Sequence, residues 1–183
     1  GENDRQLAQD ELPQSASGKT IMTTEPKFIP KEAVSINVTD NLDMKVKMID
    51  CVGYVVKDAE GQFEDGKERM VRTPWFDYDI PFSKAAEIGT NKVINNHSTV
   101  GIVVTTDGSF GELPRESYLE AEQKTVDELK AIGKPFVILL NTDKPSSSQT
   151  AALSAEMSDT YGASVIPVNV EQLRESDITY KAQ

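Results

Sequence analysis

Hydrophobic and polar positions follow two different rhythms along this chain. Residues 1–19 are polar and hold no strand-like apolar run. Between Ala33 and Val38 the chain alternates, with Val34, Ile36 and Val38 on one side and Ser35 and Asn37 on the other. Met44–Asp50 alternates in the same way, Met44, Val46 and Met48 against Lys45 and Lys47. Residues 39–43, TDNLD, separate the two, and Asp40-Asn41 is turn chemistry. The pattern predicts an antiparallel hairpin with one face buried.

Later runs are continuous instead. Gly101–Thr106 (GIVVTT) and Pro135–Asn141 (PFVILLN) read as parallel strands covered on both faces. Ser164–Val170 (SVIPVNV) is similar, with Pro167 confining it to a strand end or a sheet edge. Helical spacing fills the intervals. Lys84–His97 comes first; Arg115–Gly133 follows, with Leu119, Val126 and Leu129 on one stripe and Gly133 as its stop. Ser147–Gly162 carries Leu153, Met157 and Tyr161 four apart. Residues 53–81 have no period and contain Gly61, Gly66, Pro74 and Pro81, which predicts a long functional loop inserted in the domain. Hairpin, loop, then α-β-α-β-α-β makes an α/β three-layer sandwich whose mixed sheet carries the antiparallel hairpin at its edge.

Composition narrows the chemistry. A length of 183 residues suits one domain with a real core. The net charge of -11 argues against nucleic acid and against anionic membrane surfaces. Mean hydropathy is -0.42, and no apolar run approaches the roughly 20 residues of a membrane span. The chain opens with no charged-then-apolar leader, so export is not expected, and the single cysteine, Cys51, suits a reducing cytoplasm. A polyphosphate ligand stays compatible with the charge, because a few backbone N–H groups and one metal ion outweigh it locally.

QSASGKTIMTTEP, residues 14–26, contains the Gly18-Lys19-Thr20 that ends a phosphate-binding P-loop. Its surroundings fail. The first glycine of that motif falls on Pro13, the preceding RQLAQDELP is too polar for a central strand, and Pro26 and Pro30 interrupt any helix after it. The triplet is a decoy. The surviving signal closes the hairpin, where Asp50 and Gly53 have the D-x-x-G spacing of switch-type nucleotide hydrolases. Asp50 at a strand's carboxyl end would hold a magnesium-bound water, and Gly53 lets its amide approach a terminal phosphate. An antiparallel strand pair directly before D-x-x-G is the arrangement of translation-factor-like GTPases, within the P-loop NTPases. In those proteins the loop before the hairpin supplies a threonine that binds magnesium, and Thr23 or Thr24 stands there. Two departures follow. Guanine recognition uses N-K-x-D, whereas Asn141-Thr142-Asp143-Lys144 puts the aspartate one place early, so GTP preference is expected to be weak or lost. Tyr54 follows Gly53 where switch GTPases often place a water-orienting glutamine.

With these residues in hand, the chain resembles the nucleotide-binding domain of the stage IV sporulation protein A family, ATPases that build the base layer of the bacterial spore coat. The matching stretches are DELPQSASGKTIMTTEPKFIP, DCVGY, RMVRTPWFDYDIPFSKAAEIGT, HSTVGIVVTTDGS, GKPFVILLN and Glu175–Asp177, in order over nearly the whole chain. The resemblance implies ATP rather than GTP, with Mg2+. It implies Thr23 and Thr24 in hydrolysis, Asp50 and Thr24 at the metal, and Gly53 and Asn141 at the nucleotide. It further implies hydrolysis-driven self-assembly in the cytoplasm, on the mother-cell side of the outer forespore membrane. Partners would be further copies and other coat and membrane-anchoring proteins, without insertion into the membrane.

Members of the family have a P-loop strand and helix before the segment that opens here, and a large region after it. Residues 1–183 are therefore expected to be a partial ATPase domain that binds nucleotide poorly by itself. In the translation-factor-like order the P-loop strand separates the hairpin from GIVVTT, so without it those strands are expected to pair directly or to accept a strand from another copy. A GTP-dependent switch and a nucleotide-independent scaffold are the competing functions.

The remaining chemistry-bearing residues have plainer readings. His97, the only histidine, suits a helix-end cap rather than a zinc site. Cys51 suits packing rather than nucleophilic catalysis. The aromatics of WFDYDIPF, residues 75–82, anchor a loop, or else form a self-assembly surface. Glu116, Glu120 and Glu122 read as a solvated helix face.

Overall fold

The computed structural model describes residues 27–39 and 42–173. Gly18-Lys19-Thr20, Thr23, Thr24, the Asp40-Asn41 turn and Glu175–Asp177 lie outside the described residues.

Strands β1 (Lys27–Thr39) and β2 (Leu42–Asp50) pair antiparallel. Val34 opposes Val46 and Ile36 opposes Met44, the register that keeps the two apolar sets on one face. The ladder shifts between Ile29 and Val34, where Pro30 has no N–H to contribute. Contrary to the expectation from alternation, that face is not buried. Val34, Ile36, Met44 and Met48 are all exposed.

The segment 53–81 is more ordered than its lack of period suggests. Strands β3 (Phe63–Glu64) and β4 (Lys67–Glu68) close around Asp65-Gly66, both at positive φ as a type I′ turn requires. Strand β5 (Met70–Val71) then pairs with β6 (Ile80–Pro81), which brings the chain to helix α1 (Phe82–Lys92). Ile80 and Phe82 are buried, and the Arg69 guanidinium lies 4.3 Å from the Phe82 ring centroid. The WFDYDIPF stretch thus anchors at its end, while Tyr78 stays exposed. A π-helical turn, Val93–His97, extends α1, and His97 closes it.

Parallel strands β7 (Gly101–Thr106), β8 (Phe136–Asn141) and β9 (Val165–Val168) form the main sheet in that order. Pro167 sits on the edge strand, as a residue without an N–H must. Helix α2 (Leu119–Ala131) crosses from β7 to β8, and α3 (Ser148–Tyr161) from β8 to β9. Two right-handed crossovers in one direction put both helices on one face. There Val126 and Leu129 of α2, Met157 and Tyr161 of α3, and Ile94 pack on Val103, Ile138 and Leu140. Val126, Ile138 and Leu140 are fully buried, each contributing about 1.5–3 kcal/mol. Ser147 caps α3, its hydroxyl accepting from the Thr150 N–H at 3.1 Å. Leu119, expected on the α2 stripe, is exposed instead.

The opposite face departs from expectation. Ile102 and Val104 of β7 are 56% and 64% exposed, although a parallel strand is normally covered on both sides. Among the described residues the sheet therefore has two layers, not three. It is wholly parallel rather than mixed, because β1 and β2 form a sheet of their own. Direct pairing of β2 with β7 does not occur.

Candidate functional site

Open α/β sheets place ligands beyond the carboxyl ends of their strands. Here those ends are joined by a polar lattice. The Asp107 N–H donates to the Asn141 carbonyl at 3.2 Å, and the Thr142 N–H to the Val168 carbonyl at 2.9 Å. Asp107 accepts from the Ser109 N–H at 2.9 Å and from its hydroxyl at 2.5 Å. Ser109 in turn accepts from the Asp143 N–H at 2.9 Å, which links the loops after β7 and β8. Partial burial alone would raise the Asp107 pKa, but hydrogen bonds from Ser109 and Thr142 outweigh it and hold the carboxyl below its usual value. Asn141 uses its side-chain oxygen to accept from the Val170 N–H at 3.1 Å, so it ties β8 to the turn after β9. Gly108 has φ +86, and a Cβ there would stand 2.8 Å from the Arg115 nitrogen. Only glycine fits.

Beneath this lattice lies a cluster that the sequence reading missed. Glu116 and Glu120 are exposed, as expected of a solvated face, but Glu122 is only 4% exposed. Its carboxylate accepts from Arg115 at 2.5 and 2.7 Å, from the Thr105 hydroxyl at 2.5 Å and from the Tyr161 hydroxyl at 2.6 Å. Arg115 also donates to the Thr106 carbonyl at 3.2 Å. Burial alone would raise the Glu122 pKa; Arg115 first, then Thr105 and Tyr161, bring it below the usual glutamate value. Burial and the Glu122 carboxylate push the Tyr161 phenol well up, so it remains a donor. The cluster joins α2, α3 and the last residues of β7, and it fixes the base of the loop that carries Asp107. A signal existed in the spacing, since Glu122 precedes Val126 by four and Leu129 by seven, on the buried stripe.

Asp50 and Gly53 occupy the loop after β2. Asp50 is solvent-facing, and partial desolvation raises its pKa against a backbone hydrogen bond from Cys51. Gly53 has φ +78 with open space where a Cβ would lie, and its backbone N–H faces the Cys51 sulfur. Burial raises the Cys51 thiol, which fits packing rather than nucleophilic chemistry. Tyr54 is buried, and its hydroxyl donates to Glu128 of α2. The hydrogen bonds of Asn141 run to the loop after β7 and to the turn after β9, whereas Tyr54 ties the Asp50 loop to α2, so the structure describes two groups of candidate residues. Thr23 and Thr24 lie outside it.

No group of three His, Cys, Asp or Glu side chains among the described residues converges as a metal cage. A nucleotide's Mg2+ needs less, one or two hard oxygens beside phosphates and water, and an accessible carboxylate at a strand end fits that requirement. No helix among the described residues is long and apolar enough to cross a membrane.

Comparison with known proteins bears on the chain as a whole. Residues 1–182 match the family model described as stage IV sporulation protein A, ATPase domain. The chain is 54% identical over 177 residues to the stage IV sporulation protein A of Bacillus anthracis and 51% identical over 177 residues to that of Bacillus subtilis strain 168. Both alignments cover 97% of this chain and 36% of the relative. The protein of that name from Clostridioides difficile strain 630 is 52% identical over 169 residues, 92% of this chain and 34% of the relative. The chain thus spans about a third of the relatives' length. No solved structure matches it.

Proposed function

The chain belongs to the stage IV sporulation protein A family, matched through its ATPase domain, and on that premise we propose that it serves a protein that hydrolyses Mg-ATP to drive self-assembly of the spore coat's basement layer. One observation carries the reading within the structure: an accessible Asp50 closes an antiparallel strand and stands three residues before a glycine at positive φ with open space at its Cβ position. Asp50 would hold the Mg2+ shell, the Gly53 amide would meet the terminal phosphate, and Thr23 and Thr24 would serve hydrolysis, with Thr24 at the metal. The ion would neutralise phosphate charge. Asn141 would contribute at the base from the carboxyl end of β8, through its anchoring of the β8 and β9 loops. Those loops lack N-K-x-D in register, which favours ATP over GTP.

The finer architecture is also a proposal. A strand and helix from outside the described residues, carrying the phosphate-binding loop, would pair on the open edge of β7 and cover Ile102 and Val104. This would create the three-layer sandwich, and it is supported by the exposure of both side chains. Assembly with other copies and coat proteins, on the mother-cell side of the forespore membrane, belongs to the same reading.

The test is ATP turnover by the full-length protein. Asp50→Ala and the double change Thr23→Ala/Thr24→Ala are each expected to lower kcat by about 100-fold or more and to abolish ATP-dependent assembly. Normal turnover in either variant would contradict the assigned roles. Normal assembly without turnover would favour the scaffold.

A further inference from the structure

Tyr54 stands where switch hydrolases often carry a water-orienting glutamine, and its surroundings give it a different task. The side chain is 8% exposed and points away from solvent. Its hydroxyl donates to Glu128 on α2, and the Lys124 ammonium, one helical turn earlier, lies 4.3 Å from its ring centroid. Lys124 is itself held by Glu87 of α1 at 3.1 Å, and Glu87 also pairs with Lys84 at 3.0 Å. Three residues further on, the Lys57 N–H donates to the Ser117 carbonyl at 3.2 Å. The segment 54–57 is thus fastened to α2 at one end and to the turn before α2 at the other. A mobile switch would show few buried contacts and solvent-bonded backbone. Here Tyr54 is buried, Val55 and Val56 are half-buried, and the Lys57 N–H is bonded within the protein.

We propose that Tyr54 is a positioning residue: it locks the Asp50–Gly53 loop onto α2, so that this loop keeps one conformation whether ATP, ADP or no nucleotide is bound. The proposal rests on the reading that Asp50 serves the Mg-nucleotide site. A fixed anchor presets the carboxylate and the glycine amide, so no ordering of that loop is needed at each turnover. It also means that any nucleotide-dependent rearrangement starts elsewhere in the protein.

The test is amide hydrogen exchange on the full-length protein, followed over peptides covering residues 50–60. Exchange is measured without nucleotide, with Mg-ADP and with a non-hydrolysable Mg-ATP analogue. The three wild-type rates are expected to agree within about twofold, while Tyr54→Ala raises them by about tenfold or more, the value of one buried hydrogen-bonded anchor. Tyr54→Ala should also raise the Mg2+ concentration for half-maximal turnover several-fold; a side chain that only stabilised the fold would leave that concentration unchanged. Tyr54→Phe, which keeps the ring beneath Lys124, should lie between. Should Tyr54→Ala fail to fold, Glu128→Ala removes the same hydrogen bond from the helix side and should give the Tyr54→Phe result. Nucleotide-dependent exchange in the wild type, or an unchanged Mg2+ dependence in both Tyr54 variants, would overturn the proposal. Because exchange is read without turnover, loss of the Asp50 assignment alone would leave the exchange result standing.

Discussion

Glu122 accepts four hydrogen bonds from three residues, and its role follows from where its charge sits. A buried carboxylate without partners would be neutral or strongly destabilising, whereas four donors make the ionised form the favoured one. The folded pKa is therefore lower than the unfolded one. Stability from this source is complete above the ordinary glutamate value of about 4.3 and is lost as pH falls through the lowered folded value. Glu122→Gln keeps the shape and removes the titration. Its thermal stability is expected to be lower at neutral pH and to fall less steeply than the wild type's on acidification below about pH 4.5. Parallel acid limbs for the two proteins would show that the cluster does not hold a charge. Residue chemistry of this kind was half legible. The spacing from Val126 and Leu129 put Glu122 on the buried stripe, but its donors come from Arg115, Thr105 and Tyr161, on three other segments. No local pattern joins them.

At the scale of elements, period was a good guide to strands and helices and a poor one to their cover. Alternation gave the antiparallel pairing of β1 with β2, and apolar runs gave β7 and β8, because side-chain pattern is a property of the strand itself. Whether Val34 or Val104 is buried depends on what packs over it, which is a property of another segment. The two-residue ladders at 63–68 and 70–81 escaped for a simpler reason, since two residues have no period. The exposure of Ile102 and Val104 yields a prediction about β7. If a helix covers that face in the full-length protein, Val104→Lys buries a charge and should lower both the thermal midpoint and Mg-ATP affinity. On a face open to water the same change would be nearly neutral, within about 0.5 kcal/mol. Thermal melts and nucleotide titration of the full-length variant separate the two.

Across the whole molecule, two groups of candidate residues are held by different elements. The carboxyl ends of β7, β8 and β9 form a hydrogen-bonded lattice backed by Arg115 and Glu122, and the Asp50–Gly53 loop is tied to α2 through Tyr54. Under the proposed reading both groups would serve one ATP site together with elements beyond the described residues; the chain spans 36% of the length of two relatives. The D-x-x-G signal identified the second group from sequence because its chemistry is local to four residues. The first was only partly visible, through Asn141, since its order comes from bonds between loops that are far apart in the chain.

The central claim is that Asp50 organises the metal of a nucleotide site, and it is tested most directly by calorimetric titration of ATP into the full-length protein with and without Mg2+. The account predicts that Mg2+ tightens ATP binding in the wild type by about tenfold or more, and that Asp50→Ala removes this gain while leaving metal-free binding unchanged. An equal Mg2+ dependence in the two proteins would contradict it.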